Sequence, residues 1–138
     1  MTRRLDRTNS LYIFAVQQDG LVLQKIKNQN ENLCITACKQ NGLALQFVNN
    51  QTFSICMEAV IQNGLALQFI INHVVTLCLI AVQQNGLAIQ FVAPFLLNDK
   101  ICREAIRQNW KAIKYINKPN IELYGKACKE YFKELIHK

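Results

Sequence analysis

The chain has 138 residues, 51% of them hydrophobic, and a formal net charge of +7. That length supports one continuous core rather than two independent ones. The apolar content prompts a search for a membrane segment, yet the richest run, residues 69–82, is interrupted by Asn72, His73 and Thr76 and falls short of the roughly 20 apolar residues that a spanning helix needs.

At the N-terminus, Arg3, Arg4 and Arg7 precede an apolar stretch of only Leu11 to Val16. This is shorter than the apolar region of a secretory signal, so the expectation is an intracellular protein. From Ala15 onward the chain repeats itself. The unit A-x-x-Q-N-G-L-A-L-Q-F-V begins most clearly at Ala37, Ala59 and Ala81, in altered form at Ala15, and in degenerate form at Ala105 and Ala127. The spacing is 22 residues, broken once by two extra residues near Pro94. A fixed period of this length marks a solenoid, here a single repeat domain over residues 1–138.

Aligning the copies predicts the elements of each unit. The Ala position is invariant, the next position holds Val16, Cys38, Val60, Val82, Ile106 and Cys128, and four residues upstream lie Leu11, Leu33, Ile55, Leu77, Ile101 and Leu123. Apolar residues at offsets of zero, four and five form one stripe of an α-helix. The small residue marks where two helices cross at close range. Helix starts are expected at Thr8, Asn30, Thr52, Asn98 and Asn120, side chains able to cap the first free N–H groups, whereas Val74 offers no cap. Asn50-Gln51-Thr52 also matches a glycosylation sequon, but reads better as part of this cap. Helix ends are expected where Gly20, Gly42, Gly64 and Gly86 follow Asp19, Asn41, Asn63 and Asn85, with positive φ at the glycine. Each first helix then spans about ten residues.

The next stretch, Leu43 to Val48 in the second copy, alternates enough to suit a strand as well as a short helix. A strand would give a leucine-rich-repeat horseshoe. That pattern, L-x-x-L-x-L-x-x-N, fails at Gln62 and at Ile70, so a second short helix is predicted. The fold class is all-α: a short α-solenoid of about six helix-turn-helix repeats with charged terminal caps. In the last two copies the Gly position becomes Trp110 and Phe132, and the following Leu becomes Lys111 and Lys133. Such charged, atypical units predict that the array ends there. Lys126 with Glu130 and Glu134 with Lys138, each four residues apart, suit a solvent-facing final helix.

Charge is unevenly spread. Residues 33–98 hold only Lys39 and Glu58, while residues 99–138 hold ten Lys or Arg against five Asp or Glu. A centre clothed in amides and small apolar groups is weakly hydrated and suits protein docking. Candidate partner residues are the glutamines that recur with the repeat, Gln40, Gln46, Gln62, Gln68, Gln84 and Gln90. An amide both donates and accepts, so these side chains can present a polar strip or bond between neighbouring repeats as a structural ladder. The basic series Lys100, Arg103, Arg107, Lys111, Lys114 and Lys118 is the candidate phosphate-binding set. Pro119 and the turn expected near Trp110 interrupt it, which favours a solvated cap.

No catalytic constellation is present. Cys34, Cys56, Cys78 and Cys102 share one repeat position, where the end copies carry Tyr12 and Tyr124, and Cys38 and Cys128 share another. They are predicted to be core thiols rather than disulfide or zinc cysteines. His73 and His137 lie in different repeats without a matched carboxylate, so no catalytic residue, metal or cofactor is assigned. His73 aligns with Gln51 and is expected on a linker surface.

The Q-N-G-L-A-L-Q-F-V core at residues 40–48 and, with one change each, 62–70 and 84–92 resembles an uncharacterised repeat family abundant in mimivirus-like giant viruses and found in some protists and bacteria. The resemblance is strong over residues 33–92, good in the first copy and weak after Trp110. It implies a short helical array without an established activity, in a viral or host-cell context. The function expected is non-enzymatic protein–protein association, self-association included. The alternative is a basic nucleic-acid-binding accessory module using the C-terminal third.

Overall fold

The computed structural model describes residues 2–117 and 119–137, and every regular element among them is helical. Each of the first five copies is a pair, an α-helix followed by a 3-10 helix. The pairs are α1 (Thr2–Gln18) with η1 (Gly20–Lys25), α2 (Glu31–Gln40) with η2 (Gly42–Phe47), and α3 (Phe53–Gln62) with η3 (Gly64–Phe69). Next come α4 (Val75–Gln84) with η4 (Gly86–Phe91), the short insertion η5 (Pro94–Leu96), α5 (Asp99–Gln108) with η6 (Trp110–Tyr115), and the closing α6 (Ile121–Ile136). The predicted second helix is therefore present, wound in the tighter 3-10 form.

The α-helices stack on one another as one layer and the 3-10 helices as a second, with the core between them. The insertion η5 loops out without breaking either stack, since η4 still packs on η6 and α4 on α5. Leu33, Ile55, Leu77 and Ile101 from the α layer meet Leu23, Leu45, Leu67, Ile89 and Ile113 from the 3-10 layer, all essentially inaccessible. Each such side chain contributes about 1.5–3 kcal/mol relative to leaving it in water. The alanines at 37, 59, 81 and 105 are fully buried, as their uniform smallness predicts.

Asparagine makes the turn between the two helices. Asn41 has an extended backbone (φ −149°, ψ 111°), and its N–H closes the α-helix onto the Ala37 carbonyl at 2.8 Å. Its side chain accepts from Leu43 N–H at 3.0 Å and its carbonyl from Ala44 N–H at 2.9 Å. One residue thus ends the α-helix and caps the 3-10 helix. Asn63, Asn85 and Asn109 repeat this geometry.

Three expectations need correction. None of the glycines adopts a positive φ. Their role is close approach: a Cβ on Gly42 would overlap the carbonyl oxygen of Ala59 in the next repeat, and Gly20, Gly64 and Gly86 meet Ala37, Ala81 and Ala105 in the same way. The Asn109-Trp110 turn, made without glycine, confirms that asparagine carries the reversal. Thr8 is not a helix start, because α1 already begins at Thr2 and runs through this position without a turn that a cap would have to satisfy. The sixth copy is not a helix-turn-helix. Tyr131 stands where the other copies have Asn or Asp and no side chain is available to cap a turn, so α6, kinked near its start at Tyr124 (φ −117°, ψ 18°), continues past this position to Ile136.

Helix caps otherwise follow the sequence. Asn30, Thr52, Asn98 and Asn120 each accept an N–H from the first turn, and Val74 does not. On α6 the structure pairs Glu130 with Lys133 at 3.3 Å in place of the expected Lys126, and Glu134 lies 4.0 Å from Lys111; the expected Glu134–Lys138 pair falls on Lys138, which lies outside the described residues.

Candidate functional site

The recurring glutamines divide into two groups. Gln40, Gln62 and Gln84 each turn a side-chain oxygen toward the preceding repeat, where it accepts the N–H of Gly20 (2.7 Å), Gly42 (2.5 Å) and Gly64 (2.5 Å). Gln108 does the same for Gly86. These bonds satisfy the first N–H of each 3-10 helix, which has no partner within its own unit. The ladder reading holds for this column. Gln46, Gln68 and Gln90 are exposed and bond only to carbonyls of their own 3-10 helices, Leu43, Leu65 and Leu87, at 2.9–3.0 Å.

A second glutamine ladder escaped the sequence reading because it lies in the irregular linkers. Gln29 donates to the Phe47 carbonyl at 2.8 Å and accepts Asn49 N–H at 2.9 Å, and Gln51 makes the corresponding bonds to Phe69 and Ile71 at 2.8 and 3.0 Å. His73 occupies the next rung. It lies in the linker, as expected, but only half-exposed, and its Nδ1 is buried and has no hydrogen-bond partner.

The outer side of the α layer carries the most distinctive surface. Three positions of each helix, six before, two before and two after the invariant Ala, lie along it. In α3 they are Phe53, Met57 and Ile61; in α4 they are Val75, Leu79 and Gln83. Phe53 is 50% exposed, Ile61 52% and Val75 43%, with Met57 and Leu79 half-buried. Val74 adds exposed apolar surface where a polar cap would otherwise stand. A hollow of about 180 Å³ between α3 and α4 is lined by Phe53, Val74 and Leu77 among others. The same positions in α2 are Glu31, Ile35 and Lys39, and in α5 Asp99, Arg103 and Arg107. The apolar strip is thus bounded by charge on both sides.

The basic series does not form one face. Lys100, Arg103 and Arg107 project from α5, whereas Lys111 and Lys114 sit in the other layer on η6. Lys111 lies 5.9 Å from the Trp110 ring centre and Lys114 5.0 Å from that of Tyr115. Lys118 lies outside the described residues. Trp110, Lys111, Lys114, Tyr131, Glu134 and Leu135 line a groove of about 190 Å³ where α6 packs on η6. Both this groove and the α3–α4 hollow are smaller than the roughly 300 Å³ at which small-molecule pockets begin.

All six cysteines are free and buried. Burial pushes the thiols of Cys34, Cys56, Cys78 and Cys102 above their ordinary range. Cys38 is pushed up to about 12, first by burial and then by neighbouring Cys34, Cys56 and Glu58. Such thiols are poor nucleophiles, because the reactive thiolate is suppressed. Tyr124, sixth in the Cys34 column, hydrogen-bonds with Cys102, and burial together with that neighbour raises its phenol to about 12. Among the described residues no cluster of three His, Cys, Asp or Glu is placed to hold a metal. No described helix is long and apolar enough to cross a membrane.

Among known proteins, a family model described only as a domain of unknown function matches residues 30–74 and again 76–135. Each match takes in about two repeats. No curated protein and no solved structure matches the chain.

Proposed function

The chain belongs to that family, DUF4116, and we propose that it is a non-enzymatic helical-repeat protein acting by protein–protein association through the outer face of α3 and α4. One observation carries this reading: the apolar strip of Phe53, Met57, Ile61, Val75 and Leu79, bounded by charged residues at the same positions of α2 and α5. Interface centres are depleted in charge and enriched in aromatic residues and Met, while their rims are polar. The motif resemblance supports a viral or host intracellular setting. This surface shifts the site from the recurring glutamines to the α layer. Gln40, Gln62 and Gln84 already spend a side-chain oxygen between repeats, and Gln46, Gln68 and Gln90 lie in the other layer.

The test compares proteins retained by immobilised wild type with those retained by Phe53→Glu and by Ile61→Lys. Both positions are half exposed, so the substitutions should alter folding stability by no more than about 0.5 kcal/mol. A defined protein bound by wild type and lost from both variants is the expected result. Equal retention by all three removes the assignment. Binding that instead follows Lys111→Ala and Lys114→Ala, and disappears from heparin at moderate salt, moves the function to nucleic acid.

A further inference from the structure

We propose that the occupant of the α3–α4 face is a second copy of this chain, related by a two-fold axis that runs along the direction in which the repeats stack. The inference rests on the reading of that face as an association surface and adds its partner. It follows from how charge and apolar bulk are ordered along each helix.

On every helix of this face the three outward positions are four residues apart, so a two-fold axis passing over the middle one exchanges the first with the third. In α2 that exchange sets Glu31 of one copy opposite Lys39 of the other, twice. In α5 it sets Asp99 opposite Arg107, again twice. In α3 it sets Phe53 opposite Ile61 and brings Met57 against its counterpart, and in α4 it brings Leu79 against its counterpart, with Val75 facing Gln83. The helices run antiparallel across the contact, so their terminal partial charges also oppose favourably.

The alternative two-fold, parallel to the helices, fails on the same residues. It reverses the stacking order and sets α2 against α5 of the other copy in parallel. Glu31 then faces Asp99, and Lys39 faces Arg107, so both flanks repel. An isologous contact requires one patch to be complementary to itself, and only the antiparallel arrangement satisfies this at both flanks.

Existing contacts within the chain are compatible with it. Thr52 hydroxyl donates to Glu31 at 2.7 Å and holds its carboxylate in place. Lys39 is 61% exposed and its pair with Glu58 is long, at 4.0 Å, so it is free to turn outward. Arg103 meets its counterpart near the axis, an unfavourable juxtaposition, but it is exposed and can direct its guanidinium into solvent; Glu58, beside Met57, also nears its counterpart and is held toward Lys39 of its own chain.

Sedimentation equilibrium on the purified full chain tests the proposal, with circular dichroism to confirm that each variant is folded. Wild type should show a concentration-dependent dimer. Ile61→Lys, present twice per dimer at the apolar centre, should raise the dimer Kd at least tenfold. Asp99→Arg sets like charges opposite one another and should weaken the dimer, while Asp99→Arg combined with Arg107→Asp should restore it. A wild type that remains monomeric up to its solubility limit overturns the second-copy proposal. If Ile61→Lys nonetheless loses a heterologous protein in the retention assay, the association reading survives. A dimer untouched by Ile61→Lys overturns both. A dimer weakened by Ile61→Lys but not restored by the double exchange overturns the two-fold arrangement.

Discussion

Gly64→Ala separates the close-approach role of the repeat glycines from the backbone role that the sequence suggested. The backbone at Gly64 is one that any residue can adopt, so the substitution carries no conformational penalty. Its Cβ would, however, overlap the Ala81 carbonyl oxygen and lie 3.0 Å from the Gln84 side-chain oxygen and 3.1 Å from the Asn85 nitrogen. Backbone on the facing side cannot give way as a flexible side chain can, so overpacking costs about 1–3 kcal/mol. Separating the repeats also stretches the Gly64 to Gln84 bond, worth about 1 kcal/mol. The sum, about 2–4 kcal/mol, is a large share of the ~5–15 kcal/mol that holds an ordinary domain together. At about 3 °C per kcal/mol, Tm should fall by roughly 6–12 °C. Because a solenoid is held by contacts between neighbours, weakening its central interface should also split unfolding into two steps and lower the apparent denaturant m-value. Gly125→Ala is the control. Nothing lies within 4 Å of its Cβ position in α6, so alanine should stabilise by about 0.5–1 kcal/mol. Urea melts of the two variants decide the matter, and a Gly64→Ala protein as stable as wild type refutes the close-approach argument.

Val74→Asn should supply the missing cap of α4 and raise stability by about 1 kcal/mol in thermal melts; no gain would show that the first turn is satisfied in another way. His73→Gln should rebuild the linker ladder at its vacant rung and remove an unpaired buried nitrogen, gaining on the order of 1 kcal/mol, with slowed hydrogen exchange near Ala93 as the local sign. Stability should be level below the ordinary thiol pKa of 9.0 and decline as pH rises toward 12, since buried thiols such as Cys38 keep their protons while the unfolded chain ionises. Cys38→Ala should flatten that decline in urea midpoints measured across the alkaline range, and an unchanged slope would exclude Cys38 as its source.

The columns of the repeat made the core legible, because burial at a fixed helical phase restricts side-chain size and polarity at every copy. The alanines, the cysteines and the leucine column could be assigned from 22-residue alignment alone, as could the four caps and the missing fifth at Val74. The glutamine column was legible as either a ladder or a surface, and only the positions of Gly20, Gly42 and Gly64 across the repeat boundary decided between them. The end columns show the same limit. Leu11 and Leu33 occupy equivalent positions, yet Leu11 is 68% exposed and Leu33 only 2%, because burial in a solenoid depends on whether a neighbour stands on that side. Leucine itself carries no record of that neighbour. The glycine and the outer face were decided in the same way. A sequence records what each position tolerates, whereas the distance between one repeat's backbone and the next, and the joining of Phe53, Ile61 and Val75 into one strip, arise only when helices 22 residues apart are packed side by side.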